Sequence, residues 1–131
     1  MRYFKFEKLV RDNIVPQMID NNQEVRGIKR LNDNEFITEL IKKVLEEVEE
    51  MKNVKSKDEL KYELADVYEV LDYIKNTLNI SDSEIAKLKE QKREKNGGFD
   101  ERMYIEDVGV EEDCKWLQYY LDNPDKYSEV K

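Results

Sequence analysis

The sequence contains no histidine and only one cysteine, Cys114. Ser/His/Asp and Cys/His nucleophilic systems and histidine-ligated zinc sites all need an imidazole, so these classes of site are excluded. One cysteine cannot form a disulfide within the chain, and we therefore expect a cytoplasmic location. Any chemistry must come from carboxylates, lysine, arginine, tyrosine and hydroxyl groups.

Long apolar runs are also missing. No stretch approaches ~18 apolar residues and the N-terminus has no apolar signal-peptide core, so we expect neither a membrane span nor a secretory signal. The net charge is -8, from 31 acidic and 23 basic residues. This charge opposes a general affinity for nucleic acid polymers or anionic membranes. A divalent cation can still bridge an acidic protein to a polyphosphate.

A chain of 131 residues has the size of a single domain. We predict that it is mainly α, because 41% charged residues against 39% hydrophobic ones is typical of helical proteins. Three helices are predicted over residues 35–52, 57–78 and 82–95. Each follows a capping signal, in which a side-chain oxygen accepts from amides of the first turn and a glutamate lies three residues later. These pairs are Asn32 with Glu35, Ser56 with Glu59, and Ser81 with Glu84.

The rest of the chain gives weaker signals. A short helix is predicted over 12–21, with Pro16 tolerated only near its first turn, and a last helix over 111–121, ending before Pro124. We expect Gly97 and Gly98 to end the third long helix. Residues 24–31 and 99–108 alternate apolar and polar side chains, and are candidates for strands that pair as a small hairpin or ribbon.

Two of the predicted helices place acids inside their apolar faces. On a helical wheel, Glu63 lies within the stripe formed by Leu60, Leu64, Val67, Leu71, Ile74 and Leu78, with Asp66 at its edge. Glu47 lies in the middle of the corresponding arc of the preceding helix, with Glu50 beside it. A carboxylate in an apolar face costs several kcal/mol unless it is protonated, paired or bound to a cation.

These four acids are a candidate magnesium site, since hard divalent cations prefer oxygen ligands and are completed by water and substrate phosphates. A chain with 31 acidic residues contains many Glu-x-x-Glu spacings, most of them on solvated faces. The two pairs differ from that background because both enter apolar arcs on consecutive helices. The prediction therefore covers Glu47, Glu50, Glu63 and Asp66 together.

The same residues resemble a known family, the all-α nucleoside triphosphate pyrophosphatases of the MazG-like superfamily, which includes the phosphoribosyl-ATP pyrophosphohydrolases. Its marks are Glu-x-x-Glu on one helix and Glu-x-x-Asp on the next, matched here by Glu47 with Glu50 and by Glu63-Leu64-Ala65-Asp66. One branch also has an N-terminal Lys-Leu-Val-Arg-Asp, matched by residues 8–12. It closes its third helix with basic residues before Gly-Gly-Phe, matched by residues 92–99.

The resemblance implies a helical bundle of this type, with residues 1–131 as one domain and 108–131 as a helical extension of unknown role. It implies a homodimer or homotetramer that cleaves a nucleoside triphosphate between the α- and β-phosphates, with house-cleaning of nucleotides as a proposed role. Glu47, Glu50, Glu63 and Asp66 would hold magnesium, or manganese in its place, and one of them or Glu46 would accept a proton from water. The motifs place Lys8, Arg11, Lys92 and Lys95 at the substrate.

Two alternatives stay open. Phosphoribosyl-ATP hydrolysis would use the same metal ligands on another substrate. A non-catalytic helical interaction module would use the apolar stripes as a dimer interface and would pair the intruding acids with Lys43 or with a partner's arginine. The second alternative predicts that magnesium has no effect on stability.

Overall fold

The computed structural model describes all residues, 1–131, and consists of helices joined by loops and turns, with no strand. The mainly α fold predicted from the sequence is thus confirmed. There are five helices: α1 (Ile14–Asp20), α2 (Asp33–Asn53), α3 (Lys57–Thr77), α4 (Asp82–Asn96) and α5 (Leu117–Asp122). None of these helices is long and apolar enough to cross a membrane.

Helices α2 and α3 pack against each other as an antiparallel pair, joined by only three residues. The start of α2 lies beside the end of α3, where the rings of Phe36 and Tyr73 meet edge to face with centroids 6.4 Å apart. Further along, Leu40 and Val70 are the two buried hydrophobic residues, 3% and 8% exposed. The pair therefore has a narrow core along one line of contact.

The helix starts follow the predicted capping. Asn32 and Glu35 form both bonds of a capping box, the side chain of each accepting from the other's backbone amide. Ser56 and Ser81 accept from the amides of Glu59 and Glu84, but Glu59 accepts from the amide of Lys55 instead of reciprocating. Helix α4 ends at Gly97, whose φ of +81° is readily adopted by a residue without Cβ.

The predicted hairpin or ribbon is wrong. Gly27 has a φ of +70° in the middle of 24–31, which interrupts any extended run there. In 99–108 the chain turns at once, because the amide of Arg102 donates to the carbonyl of Phe99 and Arg102 has a φ of +54°. Neither segment has the continuous extended backbone that strand pairing needs.

The last helix is shorter than predicted. The predicted 111–121 begins with Glu111, Glu112 and Asp113, which offer no apolar face, and this part forms turns instead. The helix starts only at Leu117, where half-buried residues recur at helical spacing. Helix α1 also starts two residues later than predicted, and Pro16 lies in its first turn, where a missing amide costs little.

The chain divides into two compact units, Met1–Lys89 and Glu90–Lys131, with the boundary inside α4. The first unit contains α1, the α2–α3 pair and the start of α4, which is tied to α3 by an ion pair between Lys75 and Asp82. The second contains the aromatic residues Trp116, Tyr119, Tyr120 and Tyr127, whose rings contact one another. The single domain with an extension over 108–131 stays a prediction.

Candidate metal centre

The packing of α2 on α3 brings Glu47 and Glu63 to the same level. Glu47 lies seven residues, about two turns, after Leu40, and Glu63 lies seven residues before Val70. Because the helices are antiparallel and Leu40 and Val70 form the buried contact, both glutamates extend the same line of contact toward the connecting loop. Helical spacing then places Glu50 next to Glu47 on that face.

Glu47, Glu50 and Glu63 form a cluster in which one carboxylate oxygen of each residue lies within 4.8 Å of the others. Glu47 is only 8% exposed, Glu63 is half-buried and Glu50 is exposed. The cluster therefore runs from a buried carboxylate at the helix interface to an accessible one at its edge.

The electrostatics of the cluster oppose full ionisation. Burial, followed by the charges of Glu50 and Asp66, raises the pKa of Glu47 from its usual 4.5 to about 7. Burial also raises the pKa of Glu63, and the neighbouring Glu50 and Asp66 raise it further. Glu50 and Asp66 therefore make the charged forms of Glu47 and Glu63 less favourable.

The hydrogen bonding and the ligand atoms of the three carboxylates both suit a hard divalent cation. Glu47 Oε2 and Glu63 Oε2 are both buried and accept no hydrogen bond. Burying an acceptor without a partner is costly, and no lysine or arginine forms an ion pair with Glu47, Glu50 or Glu63. An oxygen-only ligand set of three acids suits Mg²⁺ or Mn²⁺ and offers nothing to a metal that needs sulfur or imidazole.

Asp66, the fourth predicted ligand, lies near the cluster but has a different partner. Its Oδ1 accepts from Arg11 Nη2 at 2.9 Å, while Arg11 Nη1 donates to Glu69 Oε2 at 3.3 Å. The N-terminal segment thus reaches α3 through one arginine that joins two acids. The sequence motif predicted that Arg11 contacts substrate. It did not predict the ion pair with Asp66, because the two residues are far apart in the chain.

Glu46 belongs to a separate group of charges. Its two carboxylate oxygens accept from Lys8 and Lys43, each at 3.2 Å. Burial alone would raise the pKa of Glu46, but the hydrogen bonds from Lys8 and Lys43 outweigh it and leave the pKa below its usual value. Like Arg11, Lys8 is paired with an acid of the helix pair, and Glu46 lies outside the three-carboxylate cluster.

An open cavity of about 490 Å³ adjoins the cluster within the first unit. Glu47 lies in its wall together with Arg11, Lys43 and Glu69, and the remaining wall comes from the segment 9–17 and from α2 and α3. Sequence reasoning missed this cavity, because its walls come from three parts of the chain. The only signal for it was the pair of aromatic residues at matching ends of two helices.

Lys92 and Lys95, the other predicted substrate contacts, lie on the last turns of α4 in the unit Glu90–Lys131. Both side chains are exposed, and neither forms an ion pair. Positive charge in a last turn also complements the helix dipole. Their contact with phosphate stays a prediction.

Comparison of the chain with models of known protein families, with curated proteins and with solved structures found no match.

Proposed function

We propose that this protein is a magnesium-dependent nucleotide pyrophosphohydrolase that cleaves between the α- and β-phosphates of a nucleoside triphosphate. The products would be a nucleoside monophosphate and pyrophosphate. The observation that carries the proposal is the pair of buried, unpartnered oxygens, Glu47 Oε2 and Glu63 Oε2, in a cluster of three carboxylates. This cluster of carboxylates is unfavourable without a cation, and binding of a cation would offset that cost.

In this proposal Glu47, Glu50 and Glu63 hold the cation, Mg²⁺ or Mn²⁺, with Asp66 as a further ligand. A bound Mg²⁺ supplies positive charge to phosphate oxygens and lowers the pKa of a coordinated water. Arg11 and Lys43 stand in the wall of the adjoining cavity and add positive charge where an anionic substrate would enter. Lys8 lies next to Lys43, since both bind Glu46, and it adds a further positive charge there.

The attacking water also needs a proton acceptor. Glu46 is held charged by two lysines, and a lowered pKa makes it a weak base. The pKa values of Glu47 and Glu63 are raised, and both residues lie where a cation would orient water. We therefore favour a cluster acid over Glu46 for this role.

The family resemblance adds the substrate class to what the cluster supports. The matched residues include Lys8 and Arg11 in the N-terminal motif, and both reach the helix pair that carries the acids. Phosphoribosyl-ATP remains the alternative substrate, since it has the same phosphoanhydride bond. The cytoplasmic location expected from the single cysteine is compatible with either substrate.

The deciding experiment measures pyrophosphate release from canonical and modified nucleoside triphosphates, in magnesium and in excess chelator. We expect release that needs magnesium and falls at least about a hundredfold in Glu63→Gln, which keeps the shape but removes a ligand charge. Glu49→Gln is the matched control, because Glu49 is an exposed neighbour on α2 that pairs only with Lys52. Failure with every triphosphate and with phosphoribosyl-ATP would refute the proposal.

One observation favours the second candidate, a helical interaction module. Apolar side chains beside the core line stay exposed on both long helices, namely Ile41, Leu45, Val48, Leu60, Leu64 and Leu71. We propose that these side chains form a homodimer interface. An enzyme could also use such an interface, whereas in an interaction module dimerisation would be the only function. The two functions predict different effects of magnesium on stability. Magnesium should raise the unfolding temperature of an enzyme and leave that of an interaction module unchanged.

A further inference from the structure

The wall of the cavity beside the carboxylate cluster has three distinct parts. One part consists of the rings of Phe36 and Tyr73, in contact with each other at 73° between their planes, and of the apolar residues Leu40 and Val70. Phe36 comes from the start of α2 and Tyr73 from the end of α3. Aromatic rings and apolar side chains together suit a flat, weakly polar group.

A second part comes from α1 and the residues before it, and it offers amide groups. Asn13 and Gln17 line the cavity there, and neither side-chain amide has a hydrogen-bond partner in the chain. Each side chain can donate and accept at once, which is the pattern needed to bind the edge of a nitrogen heterocycle. Asn13 is the N-cap of α1 and Gln17 lies about one turn later, where its backbone amide donates to the carbonyl of Asn13.

The third wall carries charge and joins the cavity to the metal centre. Arg11 and Lys43 lie there with Glu47, whose carboxylate belongs to both the cavity and the cluster. A ligand with a flat ring and an anionic tail can thus place the ring against Tyr73 while the tail points toward the cations and the cluster. The volume, about 490 Å³, lies within the range of roughly 300–1,000 Å³ found for small-molecule sites.

We propose that this cavity is the binding site for the heterocyclic base of the nucleotide, with Tyr73 and Phe36 against the ring face and Gln17 and Asn13 at its hydrogen-bonding edge. This assignment rests on the proposed function for the nature of the ligand. It makes Gln17 and Asn13 the residues that determine which base is accepted, and Tyr73 a residue that contributes to binding of every base.

The first test measures binding and needs no turnover. Calorimetry in magnesium would compare the four common nucleoside monophosphates, which lack the bond to be cleaved, with ribose 5-phosphate, which has the sugar and phosphate but no base. We expect at least one monophosphate to bind at least tenfold more tightly than ribose 5-phosphate, and Tyr73→Leu to lose about tenfold of that affinity, as for aromatic stacking. Tyr62→Leu is the control, because Tyr62 is an exposed tyrosine of the same helix outside the cavity.

The second test concerns selectivity and guards against a folding defect in Tyr73→Leu. Gln17 is exposed on α1, so Gln17→Leu should keep the fold and should change the ratio of affinities among the four monophosphates at least fivefold. Gln23→Leu, outside the cavity, should leave the ratio unchanged. Equal affinity for ribose 5-phosphate and all four monophosphates would overturn the assignment.

The two proposals fail in different ways. Base-dependent binding that is lost in Tyr73→Leu, without pyrophosphate release from any triphosphate, would refute the pyrophosphohydrolase and uphold the cavity. Magnesium-dependent pyrophosphate release with unchanged KM and base preference in Tyr73→Leu and Gln17→Leu would refute the cavity and uphold the reaction.

Discussion

At the scale of single residues, the raised pKa of Glu47 makes the stability of the fold depend on pH. Its pKa of about 7 in the folded protein lies above its usual 4.5, so between these values the folded chain binds more protons than the unfolded chain. Stability from this group is therefore present at low pH and is lost as pH rises through about 7. The raised pKa of Glu63 acts in the same direction.

We accordingly predict that, in chelator, the free energy of unfolding falls between about pH 5 and about pH 8. Urea unfolding across this range would measure it. In Glu47→Gln the slope should be clearly smaller, whereas Glu49→Gln should keep the slope of the parent. A parent whose stability rises over this range would contradict the raised pKa values in the cluster.

A second prediction at this scale concerns magnesium. Removing the charge of Glu47 relieves the repulsion in the cluster, so at about pH 8 the chelator-treated Glu47→Gln should unfold a few degrees above the parent, at about 4 °C per kcal/mol. Magnesium should raise the unfolding temperature of the parent and leave that of the variant nearly unchanged. Equal magnesium effects in both proteins would remove Glu47 from the ligand set.

At the scale of elements, the helix starts test how far local sequence determines the fold. The capping box of Asn32 satisfies a first-turn amide of α2, so Asn32→Ala should lower the free energy of unfolding by about 1 kcal/mol. Asn34→Ala is the control, because Asn34 lies in the first turn of the same helix and its side chain makes no hydrogen bond. Equal effects of the two substitutions in chemical unfolding would show that the box contributes nothing.

Local signals predicted the elements well where they were complete. Capping residues and apolar periodicity placed α2, α3 and α4 to within two residues at each end, since both signals lie inside the helix itself. They failed for 24–31 and 99–108, where alternation alone does not require strand backbone, and for 111–116, where the acids have no apolar face. Propensity in short segments is easily overridden by turns.

In the candidate site, too, the sequence predicted the features that depend on local helical spacing and missed those that join distant parts of the chain. Helical spacing predicted that Glu47, Glu50, Glu63 and Asp66 converge on one point. The structure brings the first three together, whereas Asp66 pairs with Arg11. The pairing of Arg11 with Asp66 and of Lys8 with Glu46 joins distant parts of the chain, and no local pattern encodes it. The same holds for the cavity, which needs α1, α2 and α3 in place before it exists.

At the scale of the whole molecule, the exposed apolar side chains predict self-association. Leu45 is 63% exposed and Leu64 43%, although each belongs to an apolar stripe of its helix. A stable dimer buries about 800 Å² on each partner, and two such stripes on adjacent helices provide a continuous surface for it. We expect the parent chain to sediment as a dimer or larger species.

The corresponding variant is Leu45→Glu, which places a charge in that surface and should shift the protein to monomer in sedimentation velocity. Leu88→Glu is the control, because Leu88 is a similarly exposed leucine on α4, away from the stripes of α2 and α3. A monomeric parent would contradict the proposed interface. Dissociation by both substitutions equally would show that the association does not depend on these stripes.

The three-residue connection between α2 and α3 has a consequence for how the protein folds. Glu47, Glu50 and Glu63 lie on either side of this connection, so the cluster closes a short loop and needs no distant part of the chain. Short loops close at low entropic cost, and contacts between near neighbours form early. The acids should therefore meet as soon as the helix pair nucleates, and a divalent cation that joins them would accelerate folding as well as oppose unfolding.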